Sequence, residues 1–181
     1  MNRNQVVLVD RNDNVIGSTD KLLAHQQGLL HRAFSIFIVR EHQGHVQLLL
    51  QQRALHKYHC GGLWSNSCCS HPQPNESVTE SALARLTEEL GFSLSDLRWV
   101  GSHTYRAELT NELIEHEYDH LFVSWANPNL DNLNPDEVAA VAWVDIEQLE
   151  QLLTTKPHSF TPWFAPTFEK VKSSLIRRSI A

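Results

Sequence analysis

Apolar and polar positions along this chain switch between the short period of strands and the longer period of helices. Residues 6–10 form a brief apolar run that ends in the polar turn Arg11, Asn12, Asp13 and Asn14. Residues 32–39 (RAFSIFIV) and 46–52 (VQLLLQQ) are β-rich runs separated by the polar stretch 41–45, which predicts a hairpin. Val78, Ala82, Leu86 and Leu90 recur every fourth residue, Ser77 and Glu80 can form a capping box, and Gly91 stands where a helix stops. The pattern therefore predicts a helix over 77–90. Strands follow at 99–107 and 117–125 around a loop at 108–114, with another at 139–144. Asp145 with Gln148 caps a helix running to about residue 153, and Thr161 and Pro162 open a last helix that Pro166 should delay or kink. Between these elements, 54–75 reads as a long irregular stretch, and loops of that length are often functional. Strands before, between and after helices imply an α/β (α+β) fold, a mixed sheet flanked by helices. One domain is expected over 1–181, with about 1–30 packing on it as an N-terminal extension and 169–181 forming a tail helix.

Composition narrows the function. With 41% hydrophobic and 20% charged residues, the chain reads as a soluble globular protein with a real core. No run approaches the ~20 apolar residues of a membrane span, and the first residues lack a signal-peptide pattern, so a cytoplasmic protein without membrane contact is expected. A net charge of −6 without a basic block argues against nucleic acid as a partner. Three cysteines, Cys60, Cys68 and Cys69, are an odd number and predict reduced thiols. Histidine is abundant at 11 residues, and imidazole suits Zn²⁺, Mn²⁺ and similar ions.

The segment WSNSCCSHP (64–72) sets two cysteines ahead of His71. Its cysteines could be metal ligands, disulfide partners, a nucleophile or core thiols. The spacing does not supply the paired C-x₂₋₄-C pattern of a zinc finger. If residues 115–117 are extended, Glu115 and Glu117 share one face and His116 takes the other. Two neighbouring carboxylates serve a cation, share a proton, or decorate a solvated edge strand. Together with His25, His31 and His71 they would make a three-histidine, two-carboxylate site for a divalent transition metal. Spacing alone does not bring these residues together.

Glu76 and the run ARLTEELGF (84–92) follow the frame of the Nudix box, G-x₅-E-x₇-R-E-U-x-E-E-x-G-U with U apolar. Ser70 replaces the first glycine, Ala84 the arginine and Arg85 the first helical glutamate, whereas Glu76, Glu88, Glu89 and Gly91 remain. Adding HRAFSIFI (31–38), LLLQQRA (48–54), WSNSCCSHP, YRA (105–107), EHEYDHLF (115–122) and TPW (161–163), the chain resembles the type I isopentenyl-diphosphate isomerases, a divergent Nudix-fold family. The resemblance implies a Nudix-like mixed sheet sandwiched between helices. It also implies isomerisation of isopentenyl diphosphate to dimethylallyl diphosphate by protonation and deprotonation through a tertiary carbocation.

Carried over by position, His25, His31, His71, Glu115 and Glu117 would hold a tightly bound Mn²⁺ or Zn²⁺. Glu89 would help hold a Mg²⁺ that arrives with the diphosphate. Lys21, Arg53, Lys57 and Arg85 would contact that diphosphate, and Trp163 would face the isoprenoid carbons. Glu117, beside Tyr105, is expected to be the acid, and Cys69 the base, its pKa drawn down by nearby cations. Cys68 would be a bystander. Trp163 could stabilise the cation by about 2 kcal/mol, roughly thirty-fold in rate. The expected partner is a small diphosphate, acted on by a monomer or weak dimer. Two rivals stand beside this reading: a Nudix hydrolase of nucleoside diphosphate derivatives, for which Ala84 and Arg85 are the wrong residues, and a metal-binding module without turnover.

Overall fold

The structure is a computed structural model that describes residues 3–176; the end of the expected tail helix, after 176, lies outside the described residues. Nine strands form one mixed sheet. The central strand β3 (His31–His42) is buried on both faces, which is why 32–39 reads as a continuous apolar run rather than an alternation. It makes the expected hairpin with β4 (His45–Arg53) at its far end, with Val39 opposite Leu48.

Helix α2 (Val78–Leu90) covers one face, laying Ala82, Leu86 and Leu90 on Phe34, Ile36, Ile38 and Leu49. Helices α3 (Ile146–Thr155) and α4 (Phe164–Ile176) cover the other, where Leu149, Phe164, Phe168 and Val171 meet Phe37, Val39, Leu48 and Leu50. Adjacent side chains of β3 thus feed opposite cores. The ends of α2 are as the sequence predicts: Ser77 accepts from the Glu80 amide, and Gly91 ends the helix at φ 73. A side chain at Gly91 would also strike the Asn132 carbonyl, 2.2 Å from an added Cβ.

Other elements depart from the sequence pattern. Strand β1 (Gln5–Val9) continues into β2 (Val15–Asp20) and helix α1 (Lys21–Gln27), which the pattern does not reveal. Nearly every position of β2 is exposed, so it shows no alternation, and α1 spans only two turns. Asp20 caps α1 through the Leu23 amide, 3.1 Å away. The irregular stretch 54–75 contains two short strands, β5 (Trp64–Ser65) on β4 and β6 (Cys68–Ser70) on β3. Buried backbone needs partners, and the neighbouring strands supply them. Asp145 does not cap α3 with its side chain; its carboxylate instead accepts from Gln47 Nε2 at 2.8 Å. Pro166 falls in the first turn of α4, where its missing N–H has no intrahelical partner to lose.

Strands β7 (Arg98–Glu108), β8 (Ile114–Trp125) and β9 (Val138–Asp145) complete the sheet. Two pairings position the site. β8 runs parallel to β3 with His31 opposite Glu117, and β6 runs antiparallel to β3 with Cys69 opposite Ser35.

Candidate metal centre and active site

The strand alternation of β8 turns Glu115 and Glu117 inward, where both are buried. His31 reaches them from the start of β3, His71 from the end of β6, and His25 from the last turn of α1. One donor atom from each of these five residues lies within 4.8 Å of all the others. His25 Nε2 stands 3.1 Å from Glu115 Oε2, His31 Nε2 3.7 Å from Glu117 Oε1, and His71 Nε2 2.7 Å from the same oxygen. His25 Nε2, His31 Nε2 and Glu115 Oε2 are buried yet make no hydrogen bond. The opposite nitrogen of His31 faces the Leu29 carbonyl at 2.8 Å, and that of His25 faces the Tyr58 hydroxyl at 3.0 Å. Such outer partners fix the ring so that the inner nitrogen can ligate.

The electrostatics fit a cation. Burial draws His25 and His71 down to about 4, which leaves them as neutral ligands. Burial and the neighbouring Glu117 push Glu115 well above the carboxylate range. Burial works against ionised Glu117 too, but the neighbouring His31 and the hydrogen-bonded His71 outweigh it and hold its carboxyl well below that range. Two buried carboxylates converging with three imidazoles are a donor set that a divalent ion satisfies.

Cys69 sits on the wall of the same cavity. Its Sγ donates to Asn66 Oδ1 at 2.9 Å. Here the structure corrects the sequence expectation of a lowered thiol pKa: burial, helped by the charge of Asp119, pushes the Cys69 thiol up to about 12. Cys68 points the other way, fully buried in the core beneath α2. Tyr105 donates its hydroxyl to Glu117 Oε2 across the β7–β8 pair. Trp163 is buried just ahead of α4, its indole N–H donating to Ser65 Oγ at 3.1 Å.

The cavity has a volume of about 240 Å³, and Lys21, Arg53, Lys57 and Arg85 all line it. Arg53 lies over the Trp163 ring, 5.6 Å from its centroid, and Lys21 lies 5.9 Å from that of Tyr58. Arg85 is held among Glu88, Glu89 and Glu137, and Lys57 also pairs with Glu137. Glu89 accepts from Arg85 through one oxygen and from Gln51 through the other, at 3.0 Å. Sequence reasoning missed Glu137, Tyr58 and His59. The buried His59 stands 3.4 Å from Glu115 Oε1 and edge-on to Trp163, and burial draws its pKa to about 2. The histidine count was the only signal for it.

Comparison with known proteins identifies the family. The NUDIX domain family matches residues 29–164. The fold is also that of a Deinococcus radiodurans protein, DR0079 (TM-score 0.65, 20% identity, 84% of this chain and 90% of that one). The NUDIX domain of Shewanella oneidensis NrtR complexed with ADP ribose shares it too (TM-score 0.62, 14% identity, 81% and 87% covered). The chain belongs to the Nudix family.

Within that family its curated relatives are more specific. An isopentenyl-diphosphate Delta-isomerase of Serratia proteamaculans is 47% identical over 96% of this chain and 94% of its own length. One of Burkholderia multivorans is 45% identical over 96% of each. This chain belongs to the isopentenyl-diphosphate Delta-isomerases.

Proposed function

We propose that the protein interconverts isopentenyl diphosphate and dimethylallyl diphosphate, supplying the two five-carbon units of isoprenoid biosynthesis. The observation that carries this reading is the convergence on one cavity of Cys69, whose Sγ meets Asn66 Oδ1, of Glu117, and of Lys21, Arg53, Lys57 and Arg85. His25, His31, His71, Glu115 and Glu117 would hold one ion, Mn²⁺ or Zn²⁺, and Glu89 would share a Mg²⁺ bound with the diphosphate. The bound charge would offset the two buried carboxylates and hold Glu117 in place. The reading takes 1–181 as one catalytic unit working in the cytoplasm, as a monomer or weak dimer.

Lys21, Arg53, Lys57 and Arg85 orient the diphosphate, and the hydrocarbon end lies against Trp163. An unactivated alkene needs a strong push: a proton must reach the terminal carbon while another leaves C2. From the resting state, Cys69 gives its proton to the terminal CH₂ and becomes a thiolate, and C3 becomes a tertiary cation. Glu117 then takes a proton from C2, and the double bond closes inward. This reverses the acid and base roles that the sequence suggested. Tyr105 aims the receiving carboxylate, and the Trp163 ring faces the cation. One proton has moved from sulfur to carboxylate; its return restores the enzyme, and the same groups run the reverse direction.

Hydrolysis of a diphosphate derivative is the poorer reading, because Ala84 and Arg85 stand where the Nudix frame has an arginine and a helical glutamate. Incubation with isopentenyl diphosphate and Mg²⁺ in D₂O, followed by NMR, tests the choice. Dimethylallyl diphosphate with deuterium in a methyl group is expected. Release of inorganic phosphate without that product would return the protein to the hydrolases.

A further inference from the structure

The turn that joins β4 to β5 is closed tightly on itself. Gly62 donates its amide to the Arg53 carbonyl at 3.0 Å, Arg53 donates to the Leu63 carbonyl at 3.0 Å, and Lys57 bonds back to Ala54 at 3.2 Å. A Cβ added at Gly61 would stand 2.5 Å from the Leu55 carbonyl, and Cys60 takes a left-handed φ of 52. Such a closed backbone limits where Tyr58 and His59 can go. The His59 ring is then boxed by others: Tyr58 meets it edge-on with centroids 4.4 Å apart, His25 at 5.6 Å and Trp163 at 6.0 Å. His59 Nδ1 is buried and makes no hydrogen bond, whereas Nε2 stands 3.4 Å from Glu115 Oε1. An imidazole with one hydrogen therefore has a use for it on Nε2, where a carboxylate oxygen can accept it. The contact is long for a hydrogen bond, and a small turn about the soft last torsion of Glu115 shortens it. The other oxygen, Oε2, faces His25 Nε2 at 3.1 Å and His31 Nε2 at 4.0 Å.

We infer that His59 is a positioning residue of the metal group, whose Nε2–H holds Glu115 Oε1 so that Oε2 is the oxygen left to face the ion beside His25 and His31. The inference rests on the metal site proposed above. His25, His31 and Glu117 have outer partners in Tyr58, the Leu29 carbonyl and Tyr105, and His59 supplies the matching one for Glu115. A glutamate without such a partner can swing either oxygen toward a cation, and fixing it on binding then costs affinity. His59 stands outside the five residues whose donor atoms lie within 4.8 Å of one another, so its part is to aim a ligand rather than to be one.

The test takes the full chain stripped of metal and titrates it with Mn²⁺ and with Zn²⁺ against a competing chelator. His59→Phe keeps a ring between Tyr58 and Trp163 but has no donor, and His59→Gln keeps an N–H without the ring. His59→Phe should weaken affinity for the ion by about 10- to 100-fold, the usual effect of losing an outer partner of a ligand. His59→Gln should recover most of that loss. The Tm of both variants without metal should stay near that of the metal-free wild type. A His59→Phe protein that binds within twofold of wild type overturns the inference, and so does a His59→Gln protein that binds no better than His59→Phe. A loss of affinity accompanied by a clear fall in the metal-free Tm would mean that the ring supports the fold rather than Glu115, which also overturns it. Should His59→Phe not fold, His59→Ala takes its place under the same criteria. A wild-type protein that takes up neither ion fails the metal reading itself, and this inference with it.

Discussion

At Cys69 the local chemistry depends on what surrounds one sulfur. Nearby cations alone would favour a thiolate, but desolvation is larger, and the thiol is pushed up to about 12. Replacing it with serine exchanges the S–H for a less acidic O–H. Cys69→Ser should reduce turnover by about 10²- to 10⁴-fold, the usual share of one acid–base group, while metal content by atomic emission stays at the wild-type value. Glu117→Gln should be equally slow but should also lose metal, because that side chain serves both tasks. If the two variants behave alike in the metal assay, the division of labour between them is wrong.

At the scale of elements, α1 is the weakest support of the metal group. It is seven residues long, and the proposed ligand His25 sits in its last turn. A helix this short is held by its caps rather than by propensity. Asp20→Ala removes the N-terminal cap at a cost of about 1 kcal/mol. If that cost falls on α1, affinity for Mn²⁺ or Zn²⁺ should weaken by roughly fivefold in a competition titration, with little change elsewhere. An unchanged affinity would mean that packing, not the Asp20 cap, fixes His25. Strand β8 is the opposite case, since Glu117 is paired to both β3 and β7 and Glu115 to β7.

Across the whole molecule, the candidate ligands come from α1, β3, the residue that follows β6, and β8, which are distant in sequence. An ion bound only by the folded state stabilises it by mass action, about 2.7 kcal/mol at a hundredfold excess over Kd. Chelation should therefore lower Tm by several degrees, and Mn²⁺ or Zn²⁺ should restore it. A Tm indifferent to chelator would show that the five side chains hold no ion in the folded protein.

Several features of this protein are fixed by sequence alone, because they depend only on near neighbours. The period of 77–90, its Ser77 and Gly91 ends, the hairpin at 41–45 and the shared face of Glu115 and Glu117 are consequences of local geometry. The residue types of the site were legible too, since the motifs that carry the resemblance are contiguous. What only the tertiary structure decides depends on long-range pairing and on burial. The parallel register of β3 with β8 sets His31 beside Glu117, and the folding of 54–75 into β5 and β6 sets Cys69 among Ser65, Asn66 and Trp163. No spacing along the chain encodes how much water is excluded at a sulfur or a carboxylate. That exclusion, and not the identity of the residues, pushes the Cys69 thiol up.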